Sequence, residues 1–169
     1  RIGRITDELR AFSRKADGRV EPTLVSEVIE GSVLLTASRS RRHDARLVRE
    51  GEASGLTVLG ERIRLEQVLV NLLQNAFEAV EHRPQGLVTL TVRDAGDTVQ
   101  IAVRDNGPGL APEVERGLFT PFLTTKPQGL GLGLVIARDI VAGFGGQLTA
   151  ASVPGEGATF TLTLRKADR

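Results

Sequence analysis

The sequence contains no cysteine, methionine, tryptophan or tyrosine. Without cysteine there is no disulfide, no thiolate metal site and no thiol nucleophile. His43 and His82 are its two histidines, which argues against a histidine-built zinc site. No apolar run approaches the roughly 18 residues of a membrane-spanning helix, and no signal-peptide pattern opens the chain. A dominant charge is also missing: 22 Lys and Arg against 21 Asp and Glu leave a formal +1, which favours no particular partner. With no methionine and Arg1 at the start, the expectation is a piece cut from a longer protein.

The 169 residues, 40% hydrophobic and 25% charged, have the composition of a soluble globular protein with one well-buried domain and room for a short appendage. Within residues 1–16, Ile2, Ile5, Leu9 and Phe12 alternate at spacings of three and four, an a/d seam too short to be stable alone. It reads as the end of a helix from a bundle or coiled coil; a plain amphipathic surface helix is the alternative. Asp17-Gly18 breaks it. After Pro22, Leu24, Val25, Val28, Ile29 and Leu35 predict a helix to about Ser38. The basic residues 39–46 read as a solvated loop, since no aromatic residue interleaves them as nucleic-acid binding would want. Short strands follow near 45–49 and 56–59.

Residues 61–81 predict the strongest helix, with Leu65, Val68, Leu69, Leu72, Leu73, Ala76 and Val80 on its buried face. Alternating runs at 87–92 and 99–103, joined through Asp94–Asp97, predict an antiparallel hairpin. Residues 108–127 hold four of the seven prolines and too little periodicity for a core element, so they read as a lid, a binding loop or a disordered stretch. A helix at 131–142 and a strand pair at 147–152 and 158–165 complete the chain. The expected class is α+β: a two-layer sandwich in which helices cover one face of a mixed, mostly antiparallel sheet.

Eleven of the nineteen glycines lie between Gly107 and Gly157. Such density means either ordinary turns or main chain laid against a ligand. Asn71 and Asn75, at i and i+4, share a side of one helix. Their carboxamides suit a hard cation or a phosphate, and equally a buried amide pair bonded to neighbouring backbone. Asp105 ends a strand before Asn106-Gly107-Pro108-Gly109, where a carboxylate can accept from an exocyclic amine; a plain turn is the simpler reading. Gly129, Gly131 and Gly133 precede a helix whose free N–H groups suit phosphate. No G-K-[ST] follows, so this is not a P-loop, and no parallel βαβ unit opens with it. Lys126 is a point charge within reach of a terminal phosphate, or else a solvated loop lysine.

The order of these signals is more specific than any one of them. NLLQNAFEA, DNGPGL, TPFLTTK, GLGLGLVIA and GEGATFTLTL run through residues 71–164, and together they resemble the N, G1, F, G2 and G3 boxes of the Bergerat-fold (GHKL) ATP-binding domain of sensor histidine kinases. The compact TTK-containing lid looks most like the nitrogen-regulation and C4-dicarboxylate-sensor subgroup. The resemblance covers about residues 20–166 and implies two parts. Residues 1–17 would end the dimerisation and phosphoacceptor helical hairpin. Residues 18–169 would form the catalytic ATP-binding domain, with a lid at about 108–128.

The resemblance also implies roles. Asn75 would hold Mg²⁺ on the triphosphate of ATP, with Asn71 on metal-bound water or phosphate. Asp105 would accept from the adenine amino group, Gly107 and Gly109 would let base and ribose lie close, and Ala79 would line the adenine slot. Gly129, Gly131, Leu132 and Gly133 would wrap the phosphates, with Thr125 beside them and Lys126 on the γ-phosphate. Phe119 and Phe122 would anchor the lid. Asn71 and Lys126 are the catalytic candidates, the nucleophile and proton acceptor lying on a separate helical domain.

Three positions depart from the pattern. ATPases of this fold carry a water-activating glutamate where Asn71 stands, which argues for phosphoryl transfer over hydrolysis. Glu78 replaces a basic residue common in the family. Ala158 replaces a hydroxyl, for which Thr159 is the substitute to test. His43 precedes an acidic residue, as an acceptor histidine does, but its surroundings look strand-like and no hairpin fits beside it, so it reads as a surface loop histidine; His82 reads as a helix-end residue.

The function so implied is the ATP-binding catalytic domain of a two-component sensor histidine kinase. Its partners would be its own phosphoacceptor domain and a response regulator. The full-length protein would be a homodimer, and this chain the cytoplasmic part of a membrane-bound bacterial sensor. This part would touch neither nucleic acid nor membrane. A chaperone-, gyrase- or mismatch-repair-like ATPase, or a nucleotide-sensing module without chemistry, are the alternatives.

Overall fold

The computed structural model describes residues 19–121 and 132–167. The seam at residues 1–16 lies outside them, as do Phe122, Thr125, Lys126, Gly129 and Gly131.

The chain runs β1 (Glu21–Leu24), α1 (Val25–Arg42), β2 (Arg46–Glu50), β3 (Thr57–Gly60), α2 (Arg62–Ala79), β4 (Leu87–Asp94), β5 (Thr98–Asp105), α3 (Pro112–Arg116), α4 (Gly133–Gly143), β6 (Gln147–Val153) and β7 (Gly157–Arg165). Five strands form a mixed sheet in the order β2-β4-β5-β7-β6, with β2 parallel to β4 and the remaining pairs antiparallel. The α+β expectation and its single helical layer hold.

Period-two alternation makes the sheet two-faced. Val88, Leu90 and Val92 of β4, Val99, Ile101 and Val103 of β5, and Phe160, Leu162 and Leu164 of β7 are buried on one side. Against them pack α1, α2 and α4, with α2 between the other two. Leu65, Val68, Leu69, Leu72 and Leu73 of α2 are fully buried, joined by Phe77. Burying side chains of this size contributes about 1.5–3 kcal/mol each, so α2 is the keel of the domain.

Helices α1 and α2 run in parallel, as the pairing of their ends shows. Arg62 at the start of α2 reaches Glu27 at the start of α1 at 3.5 Å. At the other end, Nδ1 of His43, which caps α1, lies 3.4 Å from Glu81 just past α2. His43 is thus only 10% exposed in its side chain, and not a surface loop histidine. The basic cluster also differs from expectation, because Arg39, Arg41 and Arg42 form the last turn of α1. Cations there oppose the negative end of the helix dipole, which favours helix over loop.

Strand β1 is an addition to the expected elements. It pairs antiparallel with β3 in a small second sheet, Glu21 opposite Gly60 and Leu24 opposite Thr57. Pro22 is tolerated because this strand lies at an edge. In the proline-interrupted segment, Pro112 starts the one-turn helix α3, at the position where its missing N–H costs nothing.

Candidate functional site

The site grows from one stripe of α2. Asn71, Asn75 and Ala79 recur every four residues, all half-buried. The Asn75 amide Nδ2 donates to Oδ1 of Asn71 at 3.4 Å. From Asn71 to Ala79 a helix advances about 12 Å. Each end of the stripe meets a glycine. A methyl group built on Gly133 would stand 2.6 Å from Nδ2 and 2.9 Å from Oδ1 of Asn71, so a side chain there would force that carboxamide to move. At the far end, a methyl group on Gly107 would stand 2.6 Å from the carbonyl oxygen of Ala79 and 2.9 Å from Oδ1 of Asp105.

Asp105 is the last residue of β5 and faces the helical layer, 5% exposed. Its Oδ1 accepts the N–H of Gly107 at 2.9 Å. Burial pushes its carboxyl above the usual range, opposed by hydrogen bonds from the backbone of Gly107 and Ala158 and by the nearby charge of Arg83. A carboxylate offers about four lone-pair sites, so two N–H bonds leave acceptor capacity for a donor entering the site. The loop beyond it is fixed by Asn106, whose Oδ1 accepts from the Leu87 amide at 2.8 Å and whose Nδ2 donates to the carbonyl of Gln85 at 3.1 Å.

Leu132 is fully buried and precedes α4, whose first turn carries no side-chain cap. The first N–H groups of a helix have no partner within it, and beside Asn71 those of α4 suit an anion. Phe119 packs half-buried against the core, and the guanidinium of Arg138 on α4 stands over its ring at 5.5 Å. Thus Asn71, Asn75, Ala79, Asp105, Gly107, Leu132 and Gly133 gather along one edge of α2. Thr125, Lys126, Gly129 and Gly131 lie outside the described residues.

Thr159 does not join them. It pairs with Arg104 and Ala151 and lies, with Thr161 and Thr163, on the sheet face away from the helices. Ala158 is the position on the side of Asp105, and period-two alternation forbids both residues from facing it. The hydroxyl on that side belongs to Ser152, opposite Ala158 in β6.

The geometry defines a class: an α+β domain whose central helix, glycine-bounded at both ends, runs beneath a buried carboxylate and an uncapped helix start. The family model for histidine kinase-, DNA gyrase B- and HSP90-like ATPases matches residues 60–168, and the chain belongs to that family. It is 47% identical over 168 residues to the C4-dicarboxylate transport sensor protein DctB of Rhizobium meliloti (strain 1021), covering 99% of this chain and 27% of that protein. It is similar to the catalytic domain of histidine kinase ThkA, with a TM-score of 0.77 at 32% identity over 87% of this chain and 95% of that one. Histidine kinase ThkA in complex with response regulator protein TrrA gives a TM-score of 0.81 at 28% identity, covering 98% of this chain and 47% of that one. The chain spans about a quarter to a third of the length of the curated relatives it matches. As a histidine-kinase-type ATPase domain it is an ATP-binding fold, and among its described residues no helix is long and apolar enough to cross a membrane.

Proposed function

We propose that this chain binds Mg-ATP and presents the γ-phosphoryl group to a histidine on a separate helical domain of the same kinase. The observation that carries the reading is the α2 stripe, with Asp105 and Gly107 at one end and Gly133 at the other. Its length of about 12 Å suits a nucleotide laid from base to terminal phosphate. Asp105 would accept from the adenine amino group, with Ala79, Gly107 and Gly109 lining the base. Asn71, Leu132 and Gly133 would hold the phosphates, and Thr125, Lys126, Gly129 and Gly131 would complete that grip.

Bound ATP supplies the transferable phosphoryl group and Mg²⁺ neutralises its charge. Among the described residues no group of three or more His, Cys, Asp or Glu could hold a metal ion. Within them, the metal would rest on phosphate oxygens and water, with the Asn75 carboxamide as a protein ligand of the hard-oxygen type it prefers. Asn71 cannot take a proton from water, because a carboxamide has no basic site near neutral pH. That favours transfer over hydrolysis. The work of these residues is positioning and charge stabilisation, while nucleophile and proton acceptor come from the helical domain. The similarity to ThkA, whose complex with response regulator TrrA is solved, supports a response regulator as the downstream partner. The similarity to DctB, a C4-dicarboxylate transport sensor protein, supports a sensor kinase, and its use of ATP would place this domain on the cytoplasmic side.

The test is to mix the chain with γ-labelled ATP, Mg²⁺ and a helical hairpin bearing the acceptor histidine. Acid-labile label on the hairpin is expected. Steady ATP hydrolysis with no label transferred would overturn the proposal in favour of an ATPase.

A further inference from the structure

Among the side chains that face the helical layer at the Asp105 end of the sheet, one polar group has no part in the site as described above. Extending the strand register by one pair places Val88, Asp105, Ala158 and Ser152 in a row across β4, β5, β7 and β6. The Ser152 hydroxyl, part-buried, accepts the N–H of Leu110 at 2.7 Å and donates to the carbonyl oxygen of Gly157 at 3.3 Å. One hydroxyl thus uses its single proton on Gly157, the first residue of β7, and a lone pair on the loop after Asp105. The two segments touch elsewhere as well. Gly155 donates its N–H to the carbonyl of Pro108 at 2.7 Å. Gly109 has φ of 74°, and a methyl group there would stand 2.6 Å from the Val153 carbonyl oxygen and 3.0 Å from the Ser152 hydroxyl.

We infer that Ser152 is a positioning residue for the nucleotide base, clamping the 106–110 loop to the 154–157 turn and so fixing the backbone beside Asp105. The inference rests on the nucleotide-site reading above. Ala158 leaves the neighbouring position without a hydroxyl, so Ser152 supplies the side-chain part of the clamp, beside the backbone bond from Gly155 to Pro108. Its influence is confined to the base end, since Gly133 and Asn71 lie at the opposite end of the α2 stripe.

The test compares wild type, Ser152→Ala and Ser152→Thr in the full chain, titrated with a non-hydrolysable ATP analogue well below the unfolding temperature. Removing both hydrogen bonds should weaken the analogue about tenfold. Ser152→Thr, which keeps the hydroxyl, should restore binding to within about threefold. Preference for ATP over GTP should narrow in Ser152→Ala, while competition by inorganic triphosphate stays unchanged. A lowered thermal midpoint with unchanged affinity and unchanged preference would overturn the inference, because a purely structural hydroxyl would behave so. Hydrogen exchange in wild type gives a test that needs no variant: the Leu110 amide should be protected before nucleotide is added, and free exchange there would equally overturn it. Absence of ATP binding by wild type would remove the nucleotide site itself, whereas binding left intact by Ser152→Ala removes only the role of Ser152.

Discussion

The backbone of Gly133 lies so close to the carboxamide of Asn71 that an added methyl group would come within 2.6 Å of Nδ2. Two elements far apart in sequence, the middle of α2 and the first residue of α4, thereby meet so closely that a side chain at residue 133 would push the Asn71 carboxamide aside. In an exposed helix, Gly→Ala would stabilise by about 0.5–1 kcal/mol. Here Gly133→Ala should displace the Asn71 side chain and weaken Mg-ATP at least about tenfold, the loss of one charge-assisted hydrogen bond. Circular dichroism should show helix content unchanged, and calorimetric titration measures the affinity.

Asp105 sets function against stability. Its ionised form is disfavoured by burial, beyond what its hydrogen bonds return. Asp105→Asn removes the charge while keeping an oxygen for the Gly107 N–H. The ligand-free variant should therefore unfold at the same temperature as wild type or a higher one. Its affinity for ATP should fall about ten- to a hundredfold, the range expected for a lost hydrogen bond to a charged group. Scanning calorimetry and titration together check the pair of outcomes.

The same carboxyl gives a pH dependence of known sign. Its folded pKa lies above its unfolded one, so between the two the folded state holds the extra proton. Stability from this group therefore falls as pH rises through that window and is level above it. ATP affinity should run the opposite way, falling as acid protonates the acceptor. Urea unfolding and titration of wild type against Asp105→Asn across the acid range should show both slopes in wild type alone.

Leu72 is fully buried on the keel helix, one residue from Asn71. Leu72→Ala should cost about 2–5 kcal/mol of stability. Urea unfolding measures it, and nucleotide should recover part of the loss by binding only the folded state.

Much of this architecture could be read from residues alone, for stated reasons. Helix α2 declares itself because seven of its apolar positions follow one helical face, and the β4–β5 hairpin because its alternation is strict. Strand β1 was hidden: four residues containing a proline carry no alternation, and its partner β3 lies beyond α1. The end of α1 is hard to read from sequence because a run of arginines looks like solvated charge, whereas here Arg39, Arg41 and Arg42 complement the helix dipole. Thr159 is a different case. The alternation of Phe160, Leu162 and Leu164 already assigns it to the opposite face, so the signal was present. Ser152 carries no spacing signal, and only strand register brings it opposite Ala158.

The chain's own histidines supply a further check. His43 is held at the junction of α1 and α2, close to Glu81, and His82 is exposed beyond α2. Neither belongs to the gathered site. Incubated alone with γ-labelled ATP, the chain should acquire no acid-labile phosphate, as measured by autoradiography after acid and neutral treatment.

The most direct measurement is a calorimetric titration of the chain with a non-hydrolysable ATP analogue, with and without Mg²⁺, repeated for Asp105→Asn. Saturable one-to-one binding that strengthens with Mg²⁺ and is lost by at least about tenfold in the variant is the expected result. No binding, or binding of equal strength in Asp105→Asn, would contradict a site in which α2 carries the nucleotide between Asp105 and Gly133.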